Sequence, residues 1–438
     1  MNARKMYSVA PSAARLTDSL RDIGYDFPTA VADIVDNSVA AGASRVEIDI
    51  VFDGSDSWVM IADDGQGMSA NGLLEALRYG SRRDYARGDL GRYGLGLKTA
   101  SLSQCRSLTV VSRRRAASAR TVARTVDLDL IAEVDDWVVI EPESDEQVTR
   151  ARAAVADTGG TVVLWRRLDR VLPERKPEGG WARRRLEALA AKTADHLGTV
   201  FHRFLEGDVG SGLVITVNGE KVKPWNPFAP NEPARQVLPP LRFEVTVGEA
   251  TGAVTLKRYV LPARDQFSSP AEFERLSGQL NWNRQQGLYI YRAHRLVQWG
   301  GWNGMRGIDE HTKLARASLD FDTDLDVLFN INVAKIRVTM PPQLRQLLER
   351  PVHELCLRAD DVYRNSSRGG SEAAGSPSPL PVAVTAGEAS TGTPSMSVVG
   401  LALRAAAMRA GEYAALQRIG ETLRSDAPDI AAALGFRD

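Results

Sequence analysis

The sequence predicts an α+β protein: one mostly antiparallel sheet with helices on one face, then a smaller unit of short strands closed by a helix. Three observations carry that expectation. Helical and strand patterns interleave over residues 1–205 without a βαβα rhythm. Short alternating strands recur from residue 206, at LVITVNG, LRFEVTV, AVTLKRYVL and GLYIYRAHRLVQ. Residues 365–397 are Ser, Gly, Pro and Ala with few large apolar groups, which reads as a disordered linker before a helical tail at 398–438.

The elements follow in order. Residues from about Asp26 to Ala43 read as a helix, with Asp26 as cap, Pro28 in the first turn, and Val31, Ile34, Val35 and Val39 as an apolar stripe. RVEIDIVF, a DGSDS turn and WVMIAD read as a β-hairpin. A second helix covers roughly Ser69 to Tyr79. Residues 80–97 are rich in Gly and charge and read as a long mobile loop, followed by a helix from about Leu97 to Gln104. Strands read at Ser107–Ser112, Trp137–Ile140 and Thr161–Trp165, and a long helix from about Trp181 to Leu205. A helical stretch at 341–363 closes the second unit at residue 364.

Composition removes several classes. The chain has 438 residues, with 55 basic and 55 acidic side chains. A net charge of zero argues against an autonomous phosphate-backbone binder. Two cysteines, Cys105 and Cys356, make neither a disulfide framework nor a thiolate zinc site. The five histidines lack ligand spacing. No apolar run reaches the ~20 residues of a membrane span, and the first residues lack a signal-peptide core. A cytoplasmic protein without a membrane partner is the expectation.

Three motifs carry chemistry. DDGQGM, Asp63 to Met68, follows an apolar strand; glycines two apart let backbone approach a flat ligand, and Asp63 can accept a hydrogen bond. Taken alone, the segment reads equally as a turn. GRYGLGLKTAS, Gly91 to Ser101, sets Gly94 and Gly96 before a helix with Lys98 in its first turn, a phosphate-cradle arrangement without the GxxxxGK[ST] pattern. DIVDN places Asp33 and Asn37 four apart, on one helical face. For such a pair alone, a solvated polar face is the commoner outcome.

The order of these motifs resembles the GHKL superfamily of gyrase-type topoisomerases, large heat-shock chaperones, histidine kinases and MutL. A later GGTVVLW resembles its fourth motif. The resemblance implies a Bergerat-type two-layer α/β sandwich that binds ATP and Mg2+. Asp63 would accept from the adenine amine, with Gly65, Gly67 and Met68 shaping the slot and Thr161 supporting Asp63. Asn37 would hold the magnesium ion. Gly94, Gly96 and Lys98 would close over the phosphates. Asp33 stands where hydrolysing relatives carry Glu as general base, so slow hydrolysis is expected.

The second unit resembles the transducer domain of prokaryotic MORC/MutL-like ATPases, a smaller βαβ domain. FNINVAKIRVTMPP places Lys335 where such members reach the γ-phosphate. GLYIYRAHRLVQWGGW resembles their YxNxR segment, with His294 in place of Asn. The resemblance implies an ATP-dependent homodimer acting as a clamp or switch in DNA transactions, in restriction-modification or phage defence, with a helicase, nuclease or methylase partner. The alternative is a chaperone-like or scaffolding clamp in which ATP binding without efficient hydrolysis controls assembly.

Overall fold

The computed structural model describes residues 7, 11–22, 24–80, 96–116, 118–172, 178–210, 212–247, 250–326, 328–329, 338–372 and 421–422. Met1–Ala374 forms one compact unit and Gly375–Asp438 another. The expected tail, and the linker from residue 373 on, lie outside the described residues apart from 421–422.

The first half runs α1 (Ala13–Arg21), α2 (Phe27–Ala40), β1 (Arg45–Val51), β2 (Trp58–Asp63), α3 (Ala70–Leu77), α4 (Gly96–Leu102), β3 (Ser107–Arg113), β4 (Val122–Asp127), α5 (Leu128–Val134), α6 (Glu146–Ala154), β5 (Gly160–Arg166), α7 (Gly180–Val200), α8 (His202–Leu205), β6 (Val214–Val217) and β7 (Glu220–Lys221). The described strands form a sheet in the order β4-β3-β5-β2-β1-β6-β7, antiparallel except for the β1–β6 pair.

Sequence chemistry explains the central helix. Asp26 Oδ1 accepts from the Thr29 amide at 3.0 Å, and Pro28 sits in the first turn. Such a cap is worth about 1 kcal/mol. Phe27, Val31, Ile34 and Val35 are buried against the sheet with Ile48, Ile61 and Val163; each stabilises by about 1.5–3 kcal/mol. Helix α7 joins this layer through Leu186, Ala190 and Leu197, spaced one helical turn or two apart.

The α+β sandwich is the architecture observed, with three departures from the sequence reading. Helix α6 covers the opposite face of the sheet, where Val148, Ala151 and Val155 pack on Trp58, Met60, Val162 and Leu164. Residues 137–140 make no strand; Ile140 forms an isolated bridge to Thr125, and Trp137 turns onto Tyr79 with ring centroids 4.8 Å apart. Strands β6 and β7 extend the first sheet beyond residue 205, because β6 pairs with the free edge of β1.

The second part comprises β8 (Gln236–Val247), β9 (Ala250–Val260), α9 (Pro270–Ser277), α10 (Trp282–Gln285), β10 (Gly287–Arg292), β11 (Arg295–Trp299), β12 (Ala315–Phe321) and α11 (Pro342–Glu372). Its sheet has the order β11-β10-β12-β9-β8, with β10 and β12 parallel. The chain passes from β9 through α9 and α10 to β10, but β9 and β10 run antiparallel, because β12 pairs parallel with β10 and antiparallel with β9, so this passage is not a parallel strand–helix–strand crossover. Leu344, Leu348, Val352 and Leu355 seat α11 on its core. The helix runs past residue 364 to Glu372. Among the described residues no helix is long and apolar enough to cross a membrane.

Candidate functional site

A row of three polar side chains crosses the face of the first sheet that α2 covers. Asp63 on β2 lies opposite Thr161 on β5, and Thr161 opposite Ser112 on β3. Two residues back along each strand the positions are Ile61, Val163 and Val110, all in the main core. Strand alternation therefore aims Asp63, Thr161 and Ser112 at the layer containing α2.

The Asp63 carboxylate accepts from Ser38 Oγ on α2 at 3.0 Å and from the Gly65 amide at 2.9 Å. Burial raises its pKa, and the hydrogen bonds from Gly65, Ser38 and the Thr161 backbone oppose that rise. The adjacent Asp64 differs. It accepts from the Ser44 amide at 2.8 Å, the Ser44 hydroxyl at 2.6 Å and the Arg45 amide at 2.9 Å, tying the start of β1. Burial pulls Asp64 up, but those hydrogen bonds win and its carboxyl is held below the usual range. Asp64 is thus consumed by structure, whereas Asp63 ends its strand facing α2.

Ser112 organises the far side of the row. Its Oγ accepts from the Met68 amide at 2.8 Å, donates to the Gly160 carbonyl at 2.9 Å and lies 3.0 Å from Thr161 Oγ1. The Thr161 hydroxyl is thereby directed along the row to Ser112. Gly67 has φ +66, and a methyl there would overlap the Arg113 carbonyl oxygen. A methyl at Gly65 would lie 2.8 Å from the Ala41 side chain and 2.9 Å from Asp63 Oδ1. Both glycines keep the loop close against its neighbours.

Helix α2 supplies the other wall. Asp33 is 2% exposed and accepts from the Tyr25 hydroxyl at 2.7 Å. Burial, then the Asp33 charge, pushes the Tyr25 phenol well above its ordinary pKa, so it stays a donor. A methyl at Gly96, the first residue of α4, would lie 3.1 Å from Asp33 Oδ2. One turn on, Asn37 is exposed. Between them Asp36, fully buried, accepts from Arg295 Nε at 2.8 Å, a guanidinium carried by β11 of the second sheet.

Lys98 is engaged at the end of α3. Its ammonium is buried and donates to the carbonyls of Ala76 at 2.8 Å and Arg78 at 2.7 Å, at the end of α3. That site suits a cation, because a helix C-terminus presents unpaired carbonyls and negative dipole. Burial lowers its pKa to about 8, against the pull of Glu75. Here Lys98 braces α3 against α4. Gly94 and Lys335 lie outside the described residues, as does most of the expected loop, 81–95.

The structure therefore brings together Asp33, Asn37, Asp63, Gly65, Gly67, Met68, Gly96 and Thr161 around α2 and the ends of β2 and β5. The sequence reading missed Ser38, Ser112, Tyr25, Asp36 and Arg295. Ser38 and Asp36 flank Asn37 and could have been found there; Ser112 needs the strand register, and Arg295 needs the tertiary fold.

The donor set fits a purine nucleotide with a divalent cation. A half-buried carboxylate beside an apolar methionine suits an exocyclic amine. An exposed carboxamide next to a carboxylate-bearing helix suits magnesium, which takes one or two protein oxygens and completes its shell with phosphates and water. Among the described residues no group of three or more His, Cys, Asp or Glu could hold a metal ion. A cation here would therefore need the nucleotide's own oxygens.

Residues 25–158 match the family of histidine kinase-, DNA gyrase B-, and HSP90-like ATPases. The Caenorhabditis elegans protein "ATPase morc-1" is 31% identical over 86 residues. That match takes in 20% of this chain and 10% of the worm protein.

Proposed function

We propose, from the match of residues 25–158 to the histidine kinase-, DNA gyrase B-, and HSP90-like ATPases and the partial likeness to a MORC ATPase, that this protein carries a GHKL-type ATPase domain, binds Mg·ATP at the α2 site and hydrolyses it slowly. The observation that carries the assignment is the Asp63–Thr161–Ser112 row facing Ser38 of α2. It sets one half-buried acceptor at the end of β2 beside α2, with Asp33 and Asn37 on that same helix. Asp63 receives the adenine amine, Met68 borders the ring, and Asn37 holds the cation when the nucleotide brings it. The cation supplies charge neutralisation of the phosphates. Asp33 is the candidate base for the attacking water.

On the same resemblance we assign the activity to a nucleotide-gated homodimeric clamp in DNA transactions, in restriction-modification or phage defence. Its partner is then a helicase, nuclease or methylase. The zero net charge favours DNA contact that depends on ATP or on a partner. Light scattering with a non-hydrolysable ATP analogue, with and without long DNA, tests this: the analogue should give dimers. A monomer at saturating analogue overturns the clamp.

One observation favours a second reading. The Tyr25 hydroxyl holds the Asp33 carboxylate at 2.7 Å, and Asp is one methylene shorter than Glu. Misplacing a base by ~1 Å can cost ~100-fold. A scaffolding clamp in which binding controls assembly is consistent with that arrangement. Single-turnover hydrolysis separates the two readings.

A further inference from the structure

The Arg295–Asp36 pair joins parts of the chain 259 residues apart. Both side chains are almost fully buried, at 3% and 0% exposure. Burial of a matched charge pair makes the contact all-or-none, since separating the partners would leave each charge in an apolar setting. Arg295 is also fixed from its own side. It begins β11 directly after Ala293 and His294, both at positive φ, +43 and +69. This two-residue turn has the backbone of a tight hairpin. On the other arm, Arg292 grips Asp326 through two hydrogen bonds of 2.6 and 2.7 Å. The Ala293 amide donates to the Phe321 carbonyl at 2.9 Å. The hairpin is rigid, and Arg295 projects from it into α2.

Asp36 sits three residues after Asp33, one before Asn37 and two before Ser38. Any rotation or slide of this half of α2 moves all three, and the helix transmits it because its backbone is hydrogen-bonded throughout. Asn37 itself is exposed at the helix surface. The position from which it projects is therefore set by the backbone of α2.

We propose that Arg295 is a positioning residue for the magnesium–phosphate side of the nucleotide site, acting through Asp36 to fix where Asn37 points. This rests on the Mg·ATP reading above. It adds that the second sheet governs the cation-dependent part of nucleotide affinity, while the Asp63 slot governs the rest. Groups that orient metal ligands from one shell out commonly affect metal affinity by 10–100-fold.

The test uses the full chain and a fluorescent ATP analogue, titrated with magnesium and with EDTA. Wild type should bind tighter with magnesium. Arg295→Gln should lose about 10-fold of that gain, keep its EDTA affinity within about twofold, and recover part of the gain as Arg295→Lys. Asp36→Asn, which keeps the side-chain shape, should reproduce the loss. It also serves if Arg295→Gln does not fold. Equal losses with magnesium and with EDTA would mark a merely structural role and overturn the proposal, as would an unchanged magnesium gain in both variants. Absence of nucleotide binding by wild type would instead sink the Mg·ATP reading itself.

Discussion

Ser38 Oγ donates to Asp63 Oδ2 across 3.0 Å, linking α2 to the end of β2. Asp63→Asn should reduce ATP affinity by about 10- to 100-fold, the scale of one charge-assisted hydrogen bond, with the melting temperature nearly unchanged. Ser38→Ala should cost less, about fivefold, because it only loosens the carboxylate. Calorimetric titration decides; an Asp63→Asn protein with wild-type affinity would remove the basis of the adenine assignment.

The Tyr25–Asp33 contact bears on turnover. Asp33→Ala should abolish hydrolysis while ATP binding stays within a few-fold. Tyr25→Phe should raise the single-turnover rate, because it frees one carboxylate oxygen to meet water. A slower Tyr25→Phe enzyme with unchanged affinity would show that the phenol helps to aim the base.

Lys98 gives a pH signature. Its folded pKa of about 8 lies below the ordinary lysine value of 10.5, through burial. The unfolded chain therefore binds more protons between those values, and this group's contribution makes the fold gain stability as pH rises from 8 towards 10.5. Below pH 8 the burial penalty is fully present. Urea unfolding at pH 7 and pH 9 should show wild type gaining relative to Lys98→Met over that interval. A constant difference between the two proteins would argue that the ammonium is not buried as seen.

Gly67 and Gly42 separate two costs. Both have positive φ, +66 and +68, but only Gly67 faces an obstacle, the Arg113 carbonyl; nothing lies within 4 Å of a methyl at Gly42. Gly42→Ala should cost about 1 kcal/mol from backbone conformation alone. Gly67→Ala should cost about 1–3 kcal/mol more, because the loop must shift, and should weaken nucleotide binding as Met68 moves. Thermal melts of the two variants, with ATP titrations, check both parts.

What the sequence disclosed, and what it withheld, follows from the range of each signal. Helix α2, its Asp26 cap and the β1–β2 hairpin are local patterns, and they appear where the spacing places them. So is the position of Asp63 at a strand end. Helix α6 was missed because its apolar face is only Val148, Ala151 and Val155, with arginines between. Strand β4 was missed because its sequence VARTVD is short and half polar. Lys98 differs in kind: a lysine after a glycine-rich stretch suggests phosphate, while its engagement with the carbonyl end of α3 depends on tertiary packing. The Asp36–Arg295 pair spans 259 positions, and no periodicity of either segment encodes it.

The parallel pairing of β6 with β1 sets a lower limit on how the chain can be cut. Ending it at residue 205, where the pattern of the sequence changes, would strip β1 of its partner on one edge, leaving only β2. The Asn218 side chain, which accepts from the Ile50 amide at 2.7 Å, would go too. The exposed strand would present a row of unmatched amides and carbonyls beside Val46 and Ile48, the kind of edge on which molecules stack into aggregates. A soluble ATP-binding fragment of this protein must therefore extend through Val222, whose amide closes onto Ile215.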